Sequence, residues 1–451
     1  MRSVQDLLHH SVPLPGGGEV IALNKGAAIS EEAAAMLGAL HSRSVGGIRG
    51  HLETLSKKGS DAFMDQFYVG YGHKSIGDLG WGAVFIEGVS MLAAKAVQDP
   101  PLYNGQESST RYIDFSKQRF LNPAGTEEGA AIQERWRSFY LRGTDELVPA
   151  LVNRYPRNEG EGEAVYEKAI KARALDIMGS FLPAGCSTNL CWFGELRHFA
   201  DRLQWLRTHP LAEVRTLGEA VSDVLHAEYP HSGFAKRYSE TEAYYAYCQP
   251  ECGYYFNSGT PDFRMELSGL DIGRLSAYRG IMRARPPKAD LPYAIRECGV
   301  VGFDFLLDFR SWRDIQRQRA VAQLMPLLTD DHGFEAWYLL QLPDTLHEEG
   351  AALINENRAA THCLEAGLAA QYYRPMGLRV SNRIVGDLRA HTYLIELRAT
   401  SVVHPTLRRR ASQMGESLLE ALSPYGYALH LEPNSDRFNV KRGEHDIVQR
   451  A

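Results

Sequence analysis

The sequence predicts an α+β protein, helix-rich with a small sheet in each of two related halves, on three observations. Most periodic segments repeat at helical spacing, and extended stretches are short. Two pairs of segments recur in the same order: "GWGAVFIEGVSMLAAKAVQ" resembles "GFDFLLDFRSWRDIQRQR", and "GELRHFADRLQWLRTHP" resembles "GDLRAHTYLIELRATSVVHP". Both members of the second pair carry Gly, an acid, Leu-Arg, Leu-Arg again about ten residues on, then His-Pro, which favours an internal duplication. Between the halves runs a stretch rich in Tyr, Gly, Pro and Ser, ordered rather than disordered because disordered segments are poor in aromatics. The expected organisation is a first half over residues 1–229, a connector over 230–288 and a second half over 289–451.

The elements follow in order. "AISEEAAAMLGALHSRS" is a helix, with Ser30 as N-cap and Glu31 and Glu32 at the positive end of its dipole. Residues 61–98 read as helical at both ends, broken by "GYGHKSIGDLGWG", and Asp99-Pro100-Pro101 ends the second helix. Residues 129–151 and 163–180 carry helical periodicity; "FLPAGCSTNLCWFGELRHFADRLQWLR" starts extended and turns helical from about Gly194. In the second half, Arg310, Arg313, Asp314 and Arg317 recur at i, i+3, i+4 and i+7 of one helix, apart from Phe303, Leu306, Leu307 and Ile315. In "YLIELRATS", Tyr393, Leu394 and Leu397 are expected to bury one side.

Composition narrows the function. The chain has 451 residues and a net charge of −6, which argues against a broad nucleic-acid surface but not against a local anion pocket. No apolar run approaches the ~20 residues of a membrane span, and the N-terminal stretch lacks a secretory h-region, so the expected location is cytoplasmic. Cys248 and Cys252 lack the second short-spaced pair of a structural zinc site, so no metal is expected.

Several constellations could carry chemistry. In "QESSTRY", Ser109 and Arg111 can donate to phosphate oxygens, Tyr112 can donate or stack, and Glu107 can accept from a ribose hydroxyl or base N–H. The same residues also suit a polar loop in which Arg pairs with Glu. The Arg310–Arg317 stripe is an anion site or a solvated face. Arg207 and Arg398 each end a Leu-Arg segment, either snorkelling outward or entering a cleft. His73 is bracketed by Gly72 and Gly77, as near a ligand or in a plain turn. Nothing points to a covalent nucleophile.

At this point the residues resemble the flavin-dependent thymidylate synthases. Their signature is Arg-His-Arg, seven residues, then Ser-x-Arg-Tyr. Ser109-Thr110-Arg111-Tyr112 closes that pattern, with Glu107 at the family's Glu, while Asp99-Pro100-Pro101 replaces Arg-His-Arg. Gly72-His73-Lys74-Ser75 looks like the family's Gly-His-x-Ser. In the second half Arg317-Gln318-Arg319 resembles Arg-His-Arg, "ELRATS" resembles Leu-Arg-Ala-x-Ser, and Ser-x-Arg-Tyr is missing. The resemblance implies a fused pair of family modules, a homodimer imitating the family's tetramer, in which each half keeps part of a site. It implies FAD, reduced by NADPH, mediating transfer of a methylene carbon from methylenetetrahydrofolate to C5 of dUMP. Glu107, Ser109, Arg111, Tyr112 and Arg207 would bind the nucleotide, and His73, Ser75, Arg317, Gln318 and Arg319 the flavin. Arg398 would hold a uracil carbonyl and stabilise charge developing on the ring. The alternatives are a diverged enzyme alkylating another pyrimidine nucleotide, or a non-catalytic nucleotide-binding homologue.

Overall fold

Ser30 caps its helix as the sequence predicts: its Oγ accepts from the Ala33 N–H at 3.1 Å. The computed structural model describes residues 9–23, 30–42 and 47–433, so the N-terminal "MRSVQDLL" lies outside the described residues. The chain divides into two units, one holding residues up to 109 with 187–253, the other 110–186 with residues from 254 on.

In the first unit, β1 (His9–Leu14) and β2 (Gly18–Leu23) form a hairpin. Gly16 and Gly17, both with φ near +90°, make its turn, a conformation that favours glycine. Helices α1 (Glu31–His41) and α2 (Gly47–Lys58) follow, then β3 (Trp81–Ser90), α3 (Met91–Gln98) and β4 (Asn104–Glu107). The chain then leaves for α4 (Glu127–Arg154) and α5 (Glu163–Met178), which belong to the second unit. It returns as β5 (Ser187–Glu195), α6 (Leu196–Arg207), α7 (Ala212–Glu228) and α8 (Ser239–Cys252). The sheet has strand order β1-β2-β3-β5-β4, with every neighbour antiparallel.

The helical reading of residues 83–98 is half wrong. Its first part is β3, and the helix begins only where Ser90 Oγ accepts from the Ala93 N–H at 3.0 Å. The β-branched and aromatic run Val84-Phe85-Ile86 favours the sheet, where Val84 and Ile86 are buried. Asp99-Pro100-Pro101 does end α3. At the sheet edge, a Cβ on Gly105 would lie 1.9 Å from the Cys191 carbonyl oxygen of β5. Gly105→Ala is therefore expected to cost about 2 kcal/mol or more, measured by urea unfolding.

In the second unit, β6 (Phe263–Glu266), β7 (Val300–Asp308) and β8 (Arg379–Asp387) form an antiparallel sheet in that order. Helix α9 (Phe309–Ile315) follows β7; α10 (Asp344–Cys363) precedes β8, which leads into α11 (Leu388–Arg398) and α12 (Pro405–Leu422). Residues 303–319 are thus not one helix. Asp308 caps α9 by accepting from the Ser311 N–H at 2.9 Å, and the strand before it is buried on both faces. The stretch 230–288 is not irregular throughout, since it holds α8, β6 and two short helices, Ile272–Ala277 and Arg279–Ala284.

The units repeat one local design. A strand ends on a capping side chain, Ser90 or Asp308, and a short helix follows. An antiparallel partner, β5 or β8, runs into a helix that closes on His-Pro. In each corner the histidine Nδ1 accepts from the backbone N–H two residues on, Leu211 for His209 at 3.1 Å and Thr406 for His404 at 3.4 Å. Burial, reinforced by nearby arginines, lowers both imidazoles: His209 to about 3, His404 well below its ordinary value.

Candidate functional site

Three of the expected site arginines lie in one charged region of the second unit. Helix α11 ends on Arg398, whose Nη2 donates to the Asp314 carbonyl oxygen near the end of α9 at 2.8 Å. The Asp314 carboxylate lies 3.7 Å from Arg317 Nε. Arg398 Nε is buried with no hydrogen-bond partner, and burial lowers that guanidinium's pKa, opposed by Asp314 and reinforced by Arg317. A buried guanidinium donor near a second cation, Arg317, suits a carbonyl or anionic ligand. The other face of α11 corrects the sequence reading: Leu394 is buried, but Tyr393 and Leu397 are 55% and 40% exposed.

The expected arginine stripe does not share one face, because α9 ends at Ile315 and Arg317 lies beyond it. Arg310 has a side chain only 8% exposed, against 47% for Arg317. Gln318 is buried in the following turn, its N–H donating to the Ile315 carbonyl at 2.8 Å, and Arg319 comes next, half-buried.

Arg111 is held by two parallel bonds to Asp176 of α5, Nε to Oδ1 at 2.9 Å and Nη2 to Oδ2 at 3.0 Å. Its neighbour Thr110 accepts from Arg310 Nη2 at 3.3 Å, and Tyr112 is exposed. Arg111, Arg310 and Asp314 all lie within electrostatic reach of His404, which links this cluster to Arg398.

The remaining candidates sit in the first unit. Glu107, at the end of β4, is buried in an ion pair with Lys95 of α3 and accepts from Gln98 Nε2 at 2.9 Å. Arg207 is buried and donates through Nε to Glu242 at 3.1 Å. His73 and Ser75 are exposed on the 3-10 turn at Lys74–Leu79, and Ser109, exposed, is the last residue of this unit's opening segment. Sequence reasoning missed Lys95, Asp176 and His404. Lys95 alone carried a signal, a single cation in the otherwise uncharged "MLAAKAVQ".

Among the described residues no helix is long and apolar enough to cross a membrane, and no group of three His, Cys, Asp or Glu could hold a metal ion. Residues 22–231 match the family model described as thymidylate synthase complementing protein. A UPF0159 protein of Chlamydia pneumoniae is 26% identical over 426 residues, 80% of this chain and 78% of the relative. A UPF0159 protein of Chlamydia muridarum is 26% identical over 414 residues, 78% and 77%. One of Thermoplasma acidophilum is 22% identical over 432 residues, 80% and 86%.

Proposed function

Residues 22–231 belong to the thymidylate synthase complementing protein family, and from that premise we propose a flavin-dependent, thymidylate-synthase-like enzyme that methylates C5 of a uracil nucleotide, dUMP. The reading extends the family to the second half as a diverged duplicate, supported by the repeated strand-cap-helix and His-Pro corners. The observation that carries it is Arg398, the match to the family's pyrimidine-contacting arginine, with its buried, unpartnered Nε beside Arg317.

The donors present suit a flavin nucleotide. Arg317 is half-exposed and Arg319, two residues on, is half-buried, so two forked cations follow each other as a diphosphate ligand requires. Arg317, Gln318 and Arg319 would hold FAD in the second unit; His73 and Ser75, in the first unit, are flavin candidates by the family motif. When bound, FAD reduced by NADPH supplies the redox chemistry that makes a methyl group from the carbon of methylenetetrahydrofolate. The chain's own part is to orient the uracil and to stabilise negative charge on its carbonyl through Arg398, while Arg111 and Ser109 grip the phosphate. The enzyme is a homodimer of two-module chains acting in the cytoplasm.

A second reading, alkylation of a different pyrimidine nucleotide, is favoured by one observation. Arg111 and Glu107, two side chains of the nucleotide motif, are engaged by Asp176 and Lys95. Rescue of a thymidine auxotroph separates the two.

Purified protein should show a flavin absorbance that bleaches with NADPH. Arg398→Ala should lower the methylation rate by about 10²–10³-fold with flavin retained, the scale of a lost oxyanion donor. Arg317→Ala should release FAD first, read by equilibrium dialysis. A colourless protein that cannot be reconstituted with FAD would overturn the proposal, as would unchanged turnover in the Arg398 variant.

A further inference from the structure

Arg310 is the strongest buried charge that the proposed function leaves unused. Its side chain is 8% exposed. Its Nη2 donates to Thr110 Oγ1 and to the Leu175 carbonyl, each at 3.3 Å, and lies 3.9 Å from Asp176 Oδ1. Its Nη1 is buried with no hydrogen-bond partner. The guanidinium lies against Gly179, where an added Cβ would stand 2.3 Å from Nη1. Glycine at 179 thus admits the guanidinium to a place from which any side chain there would displace it.

A second orphan lies beside it. His404 Nδ1 accepts from the Thr406 N–H at 3.4 Å and faces two hydroxyls that can also donate to it, Thr406 Oγ1 at 2.9 Å and Ser311 Oγ at 3.2 Å. The neutral ring therefore carries its proton on Nε2. That Nε2 is buried with no partner, in a residue 8% exposed. Trp337 meets the His404 ring edge-on at 5.2 Å and carries the Arg173 guanidinium on its face at 4.8 Å. Arg111, Arg173 and Arg310 thus gather around one acid, Asp176, which Arg111 already occupies at both oxygens. Two buried donors without acceptors cost free energy unless an acceptor completes them; the acids nearby are Asp176, taken by Arg111, and Asp308, whose Oδ1 accepts from the Ser311 N–H and the Tyr338 hydroxyl on the Nδ1 side of the ring.

We propose that Arg310 and His404 Nε2–H, flanked by Arg111 and Arg173, receive a phosphate-class oxyanion, with Gly179 as the residue that lets Arg310 reach it. The identification of that oxyanion with the substrate's phosphate rests on the proposed function; the anion site itself does not. Arg310 then shares the phosphate with Arg111, whose tie to Asp176 fixes the wall of the site.

The test uses the intact chain, with orthophosphate, uridine and uridine 5′-monophosphate as probes, read by thermal shift and calorimetry. Orthophosphate should raise the melting temperature of the wild-type protein by mass action. Arg310→Met should melt about as wild type without phosphate, since it removes a buried charge with one orphaned nitrogen while Asp176 keeps its pair with Arg111. It should bind orthophosphate about tenfold or more weakly, the scale of a lost charge-assisted hydrogen bond. Gly179→Ala, which keeps the arginine but displaces it, should weaken phosphate in the same direction. No stabilisation of the wild type by phosphate, or an undiminished response in the Arg310 variant, would overturn the site. Phosphate binding that depends on Arg310 while the nucleotide binds no tighter than phosphate would keep this site and sink the nucleotide reading. Nucleotide binding indifferent to Arg310→Met would do the reverse.

Discussion

Glu107→Ala is expected to destabilise the first unit by about 3–5 kcal/mol, the cost of leaving one member of a buried ion pair uncompensated. The Lys95 and Glu107 side chains are 0% and 1% exposed. Lys95 Nζ also lies 3.3 Å from Gln98 Oε1, and Gln98 Nε2 donates to the same Glu107 oxygen that faces the lysine. Removing the carboxylate strands an ammonium among apolar neighbours of α3, where Leu92, Ala94 and Val97 are fully buried. Lys95→Met alone should be comparably harmful. Lys95→Met combined with Glu107→Gln should recover most of the loss, because replacing both members leaves no bare charge. Urea unfolding followed by circular dichroism measures all four proteins. Wild-type stability in Glu107→Ala would show that the pair holds nothing together, and would return Glu107 to the roster of ligand-binding groups.

Acid should unfold this protein through its histidines before its carboxylates titrate. His209 is held at about 3 and His391 at about 4, both chiefly by burial, and His404 lies well below the ordinary 6.5. In the unfolded chain each takes up a proton below about 6.5, while the folded chain refuses it. The stability they provide is therefore complete above 6.5 and drains away as pH falls toward the folded values. One pKa unit is about 1.4 kcal/mol, so at pH 5 His209 and His391 each withdraw about 2 kcal/mol. His231 has the opposite sign: its partial burial is outweighed by Asp65 and Asp61, its pKa is raised, and its contribution fades as pH rises. It is a single, part-exposed group and offsets little. Thermal melts should drop steeply between pH 6.5 and 5, and His209→Asn, which can keep the cap to Leu211, should flatten that slope. A melting temperature constant over this interval would show that the corners tolerate charge.

Much of this architecture was legible from residues. Caps with a side-chain mechanism, such as Ser30, and long periodic helices such as α4 and α5 were readable because their signals are local. The strands β3 and β7 were hidden because each runs directly into a helix without a turn residue, so the apolar run carries two periods end to end. The arginines that matter were found by motif, but their partners were not. Asp176 lies 65 positions from Arg111, and His404 lies 93 from Ser311, and no spacing rule reaches so far. The separation of Arg310 from Arg317 was illegible for a related reason: helix length, set by the Asp308 cap and the end at Ile315, decides which arginines share a face.

Strand β5 sits between β3 and β4, yet α4 and α5 are read out before it. A nascent chain emerging from the ribosome therefore carries β3 with one edge bare until residues 187–195 appear. Any fragment that stops short of them exposes that edge to other chains and invites aggregation. Dissection of this protein into soluble pieces consequently has to respect an interleaved order of assembly: the amino-terminal module is finished only after residues 110–186 of the other have been made.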